Sequence, residues 1–390
     1  MTVGGISATL ATAPLMADPL VAIDAVSVGN SGNASYGGFG SVSYEYSIGK
    51  HEVTIAQYAA FLNAAAVSDP HGLYNTNMAT DPRIAGILRN GAPGAYTYTV
   101  IGPFGATFLP GASSPGKRPV TYVSWEDAAR FCNWLHNGAT NGADTENGVY
   151  TFFEQGGYTT IRSENAKWWI PSEDEWFKAA YHAPNSPWFG GYWLYATQSM
   201  LKPGNEPGPK TNQANYHSTV SLGVVLWSAT QAENTDFNQN YLTEVGAFGN
   251  SPSYYGTFDQ AGNVIEWNES VFLNDTNGWE RGLRGGHWES YTEEEFHTRM
   301  KAPPHAESNR IGFRVAGAAT NAKVPPKIMN ASHAPGGFSF SWTPSSSVHV
   351  QRKSSLSDSS WETVSSNNIY GTFLDSNPPS GKAFYRVLVP

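Results

Sequence analysis

Gly262-Asn-Val-Ile-Glu-Trp267, followed by Leu283-Arg-Gly-Gly286 and Asn309-Arg-Ile-Gly-Phe-Arg-Val315, is the stretch of this 390-residue chain whose reading decides its fold. Working outward toward the N-terminus, three further motifs precede it: Tyr46-Ser-Ile-Gly-Lys-His-Glu-Val-Thr54, Arg118-Pro-Val-Thr-Tyr-Val-Ser-Trp-Glu-Asp-Ala-Ala129 and Trp169-Ile-Pro-Ser-Glu-Asp-Glu-Trp176. Each of these three carries a helix start. Thr54 is an N-cap ahead of Ile55, Tyr58, Ala59 and Leu62, which share one helix face. Ser124 caps a run with Trp125, Ala128, Ala129, Cys132 and Leu135 on one face, with Glu126 and Asp127 in its first turn and a stop near Asn137-Gly138. Ser172 and Glu175 form a capping box that opens a short third helix. Val21 to Val28 and Gly40 to Ile48 alternate apolar and polar residues, as two strands of a hairpin do.

Composition fits a loop-rich fold. Only 14% of residues are charged, while 40 glycines, 25 prolines and 13 tryptophans punctuate the chain and fill its core. Residues 64–117 and 136–160 hold Asp-Pro, Asn-Gly and Ser-Pro-Gly steps with little periodicity and read as surface loops, where specificity usually sits. A net charge of −9 without any basic cluster argues against a nucleic-acid partner, and no apolar run reaches the length of a membrane span. A single cysteine, Cys132, rules out an intrachain disulfide. On the apolar face of its helix it reads as a buried, inert thiol.

The six motifs, in this order over residues 40 to 317, resemble the formylglycine-generating enzyme (sulfatase-modifying factor) domain, a variant of the C-type lectin fold. The resemblance implies an α+β, loop-rich domain over 18–317, after a possible truncated signal or leader over 1–17. Formylglycine-generating enzymes oxidise a substrate cysteine with oxygen and a copper ion held by two cysteines. The matching positions here are Ser290 and Glu295, a hard oxygen pair that does not replace two thiolates around Cu(I). The fold is therefore expected without the reaction, and copper or iron is not expected. The resemblance also implies one or two Ca²⁺ ions: a first site at Asp259, Gly262, Val264 and Glu266, whose hard oxygens suit the ion, and a second at Asn215, Tyr216 and Asp236. Arg314 is expected to be buried and paired with a carboxylate.

Other constellations are weaker. His287, His297 and His305, with Glu289 and Glu293 to Glu295 between them, allow an iron site to be drawn, against the simpler reading of a solvated acidic loop. Trp188, Trp193, Trp279, His287 and Trp288 are candidates for a groove taking a protein or glycan ligand. No phosphate loop, nucleophile elbow or zinc motif occurs.

From Ala316 to Pro326 the composition turns to Ala, Asn, Lys and Pro, and a linker is expected over 318–326. Beyond it, Phe338–Trp342, Val348–Arg352, Trp361–Val364 and Ala383–Val389 read as short strands of a small all-β sandwich over 327–390, resembling a fibronectin type III module. Ile6 to Ala17 is small and apolar and ends before Asp18 like the late part of a signal peptide. Together these point to a secreted, periplasmic or cell-surface binding or structural protein. The alternative is a cysteine-independent, metal-dependent oxidoreductase of the same superfamily, acting in protein or peptide maturation.

Overall fold

Three capping boxes start the longer helices. The computed structural model describes residues 19–102, 114–319 and 327–388, except 155, 220–223, 238, 275–277, 292–296, 335–336, 344–347, 356–359, 369–371 and 379–382. The expected leader, Glu293 to Glu295 and residues 320–326 of the expected linker lie outside them. At α1 (Ile55–Ala65) the Thr54 hydroxyl accepts from Gln57 N while the Gln57 side chain accepts from Thr54 N at 2.9 Å. A single turn, α2 (Asn77–Thr80), follows. Ser124 and Asp127 cap α3 (Trp125–His136), and Ser172 and Glu175 cap α4 (Glu173–Tyr181). Each box satisfies two of the four N–H groups that a helix start leaves unpaired.

The apolar faces of α1 and α3 meet in an aromatic cluster. Phe61 lies edge-on to Phe131 at 5.3 Å, and Phe131 packs on Phe313 at 5.4 Å. Each such pair adds about 1 kcal/mol beyond the area it buries. Cys132 sits in this core, 0% exposed.

Two four-stranded sheets frame the rest of the first unit, Met1–Ala318. In one, the strand Tyr46–Gly49 pairs antiparallel with Ala25–Val28 on one side and Ala316–Ala318 on the other, so Ile48 faces both Val26 and Ala316. The expected first two strands are thus present. Ala316–Ala318, placed at the start of the compositional linker, is instead a strand that closes this sheet and also pairs with Trp168–Trp169. The second sheet runs Met300–Ala302, Gly278–Arg284, Ile265–Asn274, Ile311–Gly312, with the last pair parallel.

Part of the expected loop 64–117 is ordered as a hairpin, Ile87–Asn90 with Thr97–Val100. Its signal is tertiary: Arg89 stacks on Tyr74 and Tyr96 at 4.7 and 4.4 Å and pairs with Asp69 at 3.0 Å. Among the described residues no helix is long and apolar enough to cross a membrane.

The second unit, Ala319–Pro390, contains two three-stranded antiparallel sheets. One joins Lys327–Ala334, Gly337–Thr343 and Thr372–Asp375; the other joins Glu362–Asn368, Val348–Lys353 and Phe384–Leu388. Phe340, Val350 and Val387 form its apolar centre, and Asp375 accepts from Arg352 and Tyr385, both at 2.7 Å.

Candidate functional site

The Gly262–Trp267 stretch turns sharply into its strand. Gly262 has a φ of +81°, and a Cβ there would overlap the carbonyl of Asn215. Asp259 and Asn263 also adopt left-handed backbone, which Asp and Asn tolerate better than most residues. Asn263 is the hub of the turn: its side-chain oxygen accepts from Asn215 Nδ2 at 2.9 Å and Thr243 N at 3.1 Å, and its Nδ2 donates to Glu52 at 3.0 Å.

Glu266 at the end of the turn is buried against Arg314, as expected for that arginine. Arg314 Nε and Nη2 donate to the two carboxylate oxygens at 2.6 and 2.7 Å, and Trp176 Nε1 donates to Oε2 at 2.8 Å. Burial opposes the charge on Arg314, but Glu266, with Glu52 and Asp259 adding, offsets it and the pKa of Arg314 lies above its ordinary value. Asp259 accepts from Gly246 N at 2.6 Å. Burial pushes its carboxyl up to about 6, with the Gly246 N–H and Arg314 opposing and Glu266 adding.

Of the calcium ligands expected here, Glu266 is already paired with Arg314. Ca²⁺ takes six to eight oxygens, and Glu266 has both of its oxygens in contact with a guanidinium, which would also repel the ion. At the second expected site Asn215 and Asp236 lie at opposite ends of Tyr241: Asn215 Nδ2 donates to the Tyr241 carbonyl at 3.0 Å, and Asp236 N donates to the Tyr241 hydroxyl at 2.6 Å. The carbonyl of Tyr216 accepts from Asn205 Nδ2 at 3.2 Å.

The segment His287–Tyr291 folds into a tight turn after Gly285-Gly286. His287 N donates to Ser290 Oγ at 3.0 Å, Ser290 N donates to the His287 carbonyl at 2.9 Å, and Glu289 N donates to His287 Nδ1 at 3.1 Å. Burial, with Arg310 adding, pushes His287 down to about 3, so the ring is neutral. Trp288 is 1% exposed and donates to the Asn309 carbonyl at 2.9 Å. The expected groove therefore loses Trp288 and His287 to the interior. Trp188 and Trp279 are 49% and 57% exposed and Trp193 is half-buried, and no ring contact joins these three among the described residues. His305 is exposed and His297 packs on Tyr195 at 4.9 Å. Among the described residues no three His, Cys, Asp or Glu side chains come together as a metal site.

Sequence reasoning missed His217. Its backbone N–H donates to the Ser290 carbonyl at 3.0 Å, which places it beside Ser290. The ring stacks on Trp227 at 3.7 Å and 5°, with Tyr291 at 4.9 Å. It is 7% exposed, and both ring nitrogens are without hydrogen-bond partners among the described residues. Burial lowers its pKa, opposed by Glu289. The only signal was its place after Asn215-Tyr216, and nothing local links residue 217 to residue 290.

Solved structures of similar shape include "Crystal Structure of CarF" (19% identity, 76% of this chain and 98% of that chain, TM-score 0.45). "Treponema denticola variable protein 1" matches at 19% identity over 75% of this chain and 94% of its own, with a TM-score of 0.40. PvdO from Pseudomonas aeruginosa matches at 17% identity over 71% of this chain and 81% of its own, with a TM-score of 0.38. A family model described as the sulfatase-modifying factor enzyme 1-like domain matches residues 40–319. The turn at Gly262, the Gly285-Gly286 bend and the Arg314 pairing all lie within that match, and the chain belongs to this family.

Proposed function

We propose that this chain is an exported binding protein, in which the family domain presents its loops to a protein or glycan and performs no thiol-based oxidation. One observation carries the reading: the only thiol, Cys132, is sealed in the core, and burial holds its pKa well above the ordinary range. Thiolate is both the nucleophile and the soft-metal ligand, so neither role is open to this side chain. Ser290 offers a hydroxyl already engaged by the His287 N–H. The exposed rings of Trp188, Trp279 and Tyr291 support ligand contact. The apolar leader supports export, and the second unit, with its antiparallel strands, serves as a spacer resembling fibronectin type III modules.

In this reading Arg314 supplies at Glu266 the positive charge that calcium would otherwise bring. The second reading, a metal-dependent oxidoreductase that uses no cysteine, rests on His217, whose pKa burial lowers and whose ring nitrogens have no hydrogen-bond partner among the described residues, so that the ring is chemically able to bind a metal. Elemental analysis of protein purified without added metal or chelator, together with melting curves in EDTA, separates them. The expected result is neither copper nor iron at stoichiometric level and an unchanged melting temperature. Stoichiometric copper or iron overturns the non-catalytic reading. A fall in Tm with EDTA overturns the assignment of Arg314 as the sole counter-charge, because an ion that binds only the folded state stabilises it.

A further inference from the structure

A cavity of about 280 Å³ opens at the start of α4, lined by Phe39, Ser172, Glu173, Asp174, Glu269 and Arg299 among others. Its charges are arranged in two unequal groups. Glu173 takes two guanidiniums: Arg284 Nε and Arg299 Nε both donate to Oε1 at 2.8 Å, and Arg299 Nη2 donates to Oε2 at 2.5 Å. One carboxylate between two arginines leaves a positive surplus. Arg284 is interior, so the surplus reaches the cavity through the partly exposed Arg299, whose Nη1 makes no hydrogen bond among the described residues.

The other group is reversed. Glu269 accepts from Tyr150 at 2.6 Å and lies 3.3 Å from Arg162, which Glu175 already holds through two bonds of 2.9 Å. Burial pushes the Glu269 carboxyl up to about 7, with Arg162 and Arg281 opposing and Glu175 adding, so this group carries a partial negative charge at neutral pH. Asp174 adds to it: Oδ1 accepts from Gly40 N at 2.8 Å and Oδ2 has no partner among the described residues. Burial raises the pKa of Asp174 while Arg299 pulls it down, so the two groups act on each other. Phe39 forms a wall, with both the Arg284 and the Arg299 guanidinium 4.5 Å from its ring centre.

We propose that this cavity binds a free α-amino acid, with its carboxylate on Arg299 Nη1 and its ammonium on Asp174 Oδ2. A ligand of one charge is disfavoured at either end: an anion meets Asp174 and Glu269, and a cation meets Arg299. The volume falls just below the range of drug-sized pockets, which suits a molecule of this size.

Calorimetric titration of the full chain with L-amino acids at millimolar concentration tests the assignment. Saturable binding is expected, weakened about tenfold or more by Asp174→Asn and by Arg299→Gln, and likewise when acetate or methylamine replaces the amino acid. Asp174→Asn keeps the acceptor for Gly40 N, so its melting curve is expected to match the parent. Absence of saturable binding overturns the proposal, as does unchanged affinity in both variants or equal affinity for methylamine alone. The cavity lining includes none of Trp188, Trp279 and Tyr291, so failure here leaves the proposed binding role of those residues untouched.

Discussion

Arg314 shows how one side chain can reassign a motif. Glu266, read as a cation ligand, is a partner in a fully buried ion pair, 48 residues from its arginine. Removing one member of such a pair leaves an unpaired charge in the interior and costs about 3–5 kcal/mol, whereas replacing both by apolar groups is often nearly neutral. Arg314→Met should therefore lower the unfolding free energy by an amount of that order in urea titrations, and Glu266→Leu added to it should restore much of the loss. A double variant no more stable than the single one would show that Glu266 is held by something other than Arg314. Acidity was legible at this position, but the partner was not, because contact between residues 266 and 314 depends on the parallel pairing of Ile265 with Ile311.

At the scale of the element, the N-terminus of α3 combines a cap with a titrating group. Asp127 accepts from Ser124 N at 2.9 Å and from Ser124 Oγ at 2.6 Å. Burial nevertheless pushes its carboxyl from 3.8 to about 7, against the Ser124 bonds, with Glu307 adding and Arg130 opposing. The folded chain thus holds a proton that the unfolded chain has lost, and the stability from this group is full below 3.8 and lost as pH rises toward about 7. Asp127→Asn keeps the cap but cannot ionise. Its stability relative to the parent should rise by on the order of a few kcal/mol between about pH 4 and about pH 8. Parallel stability curves for the two proteins across that range would remove Asp127 from the account. The helix start itself was readable from Ser124 and Asp127, since capping is a matter of four consecutive residues; the burial that shifts the carboxyl was not.

Across the whole molecule, the chain divides at Ala318 into two units with separate apolar centres. Limited proteolysis should cut between residues 320 and 326 and leave a folded fragment ending near Ala319, with the melting temperature of the longer unit kept. Resistance of that stretch to cleavage would show that it is covered. The sequence by itself determined the helix starts at Thr54, Ser124 and Ser172, the first two strands and several strands of the second unit, the interior place of Cys132 and, through six ordered motifs, the family. These signals are short-range: a cap, an alternation or an apolar stripe is complete within a dozen residues. Only the tertiary structure decided that Arg314 meets Glu266, that Trp288 faces inward against Trp227 and Tyr241, that Arg89 holds a hairpin together, and that His217 lies under Tyr291 beside Ser290. Each of those facts depends on which distant segments are packed together, and burial and charge pairing are properties of the packed core that no local pattern encodes.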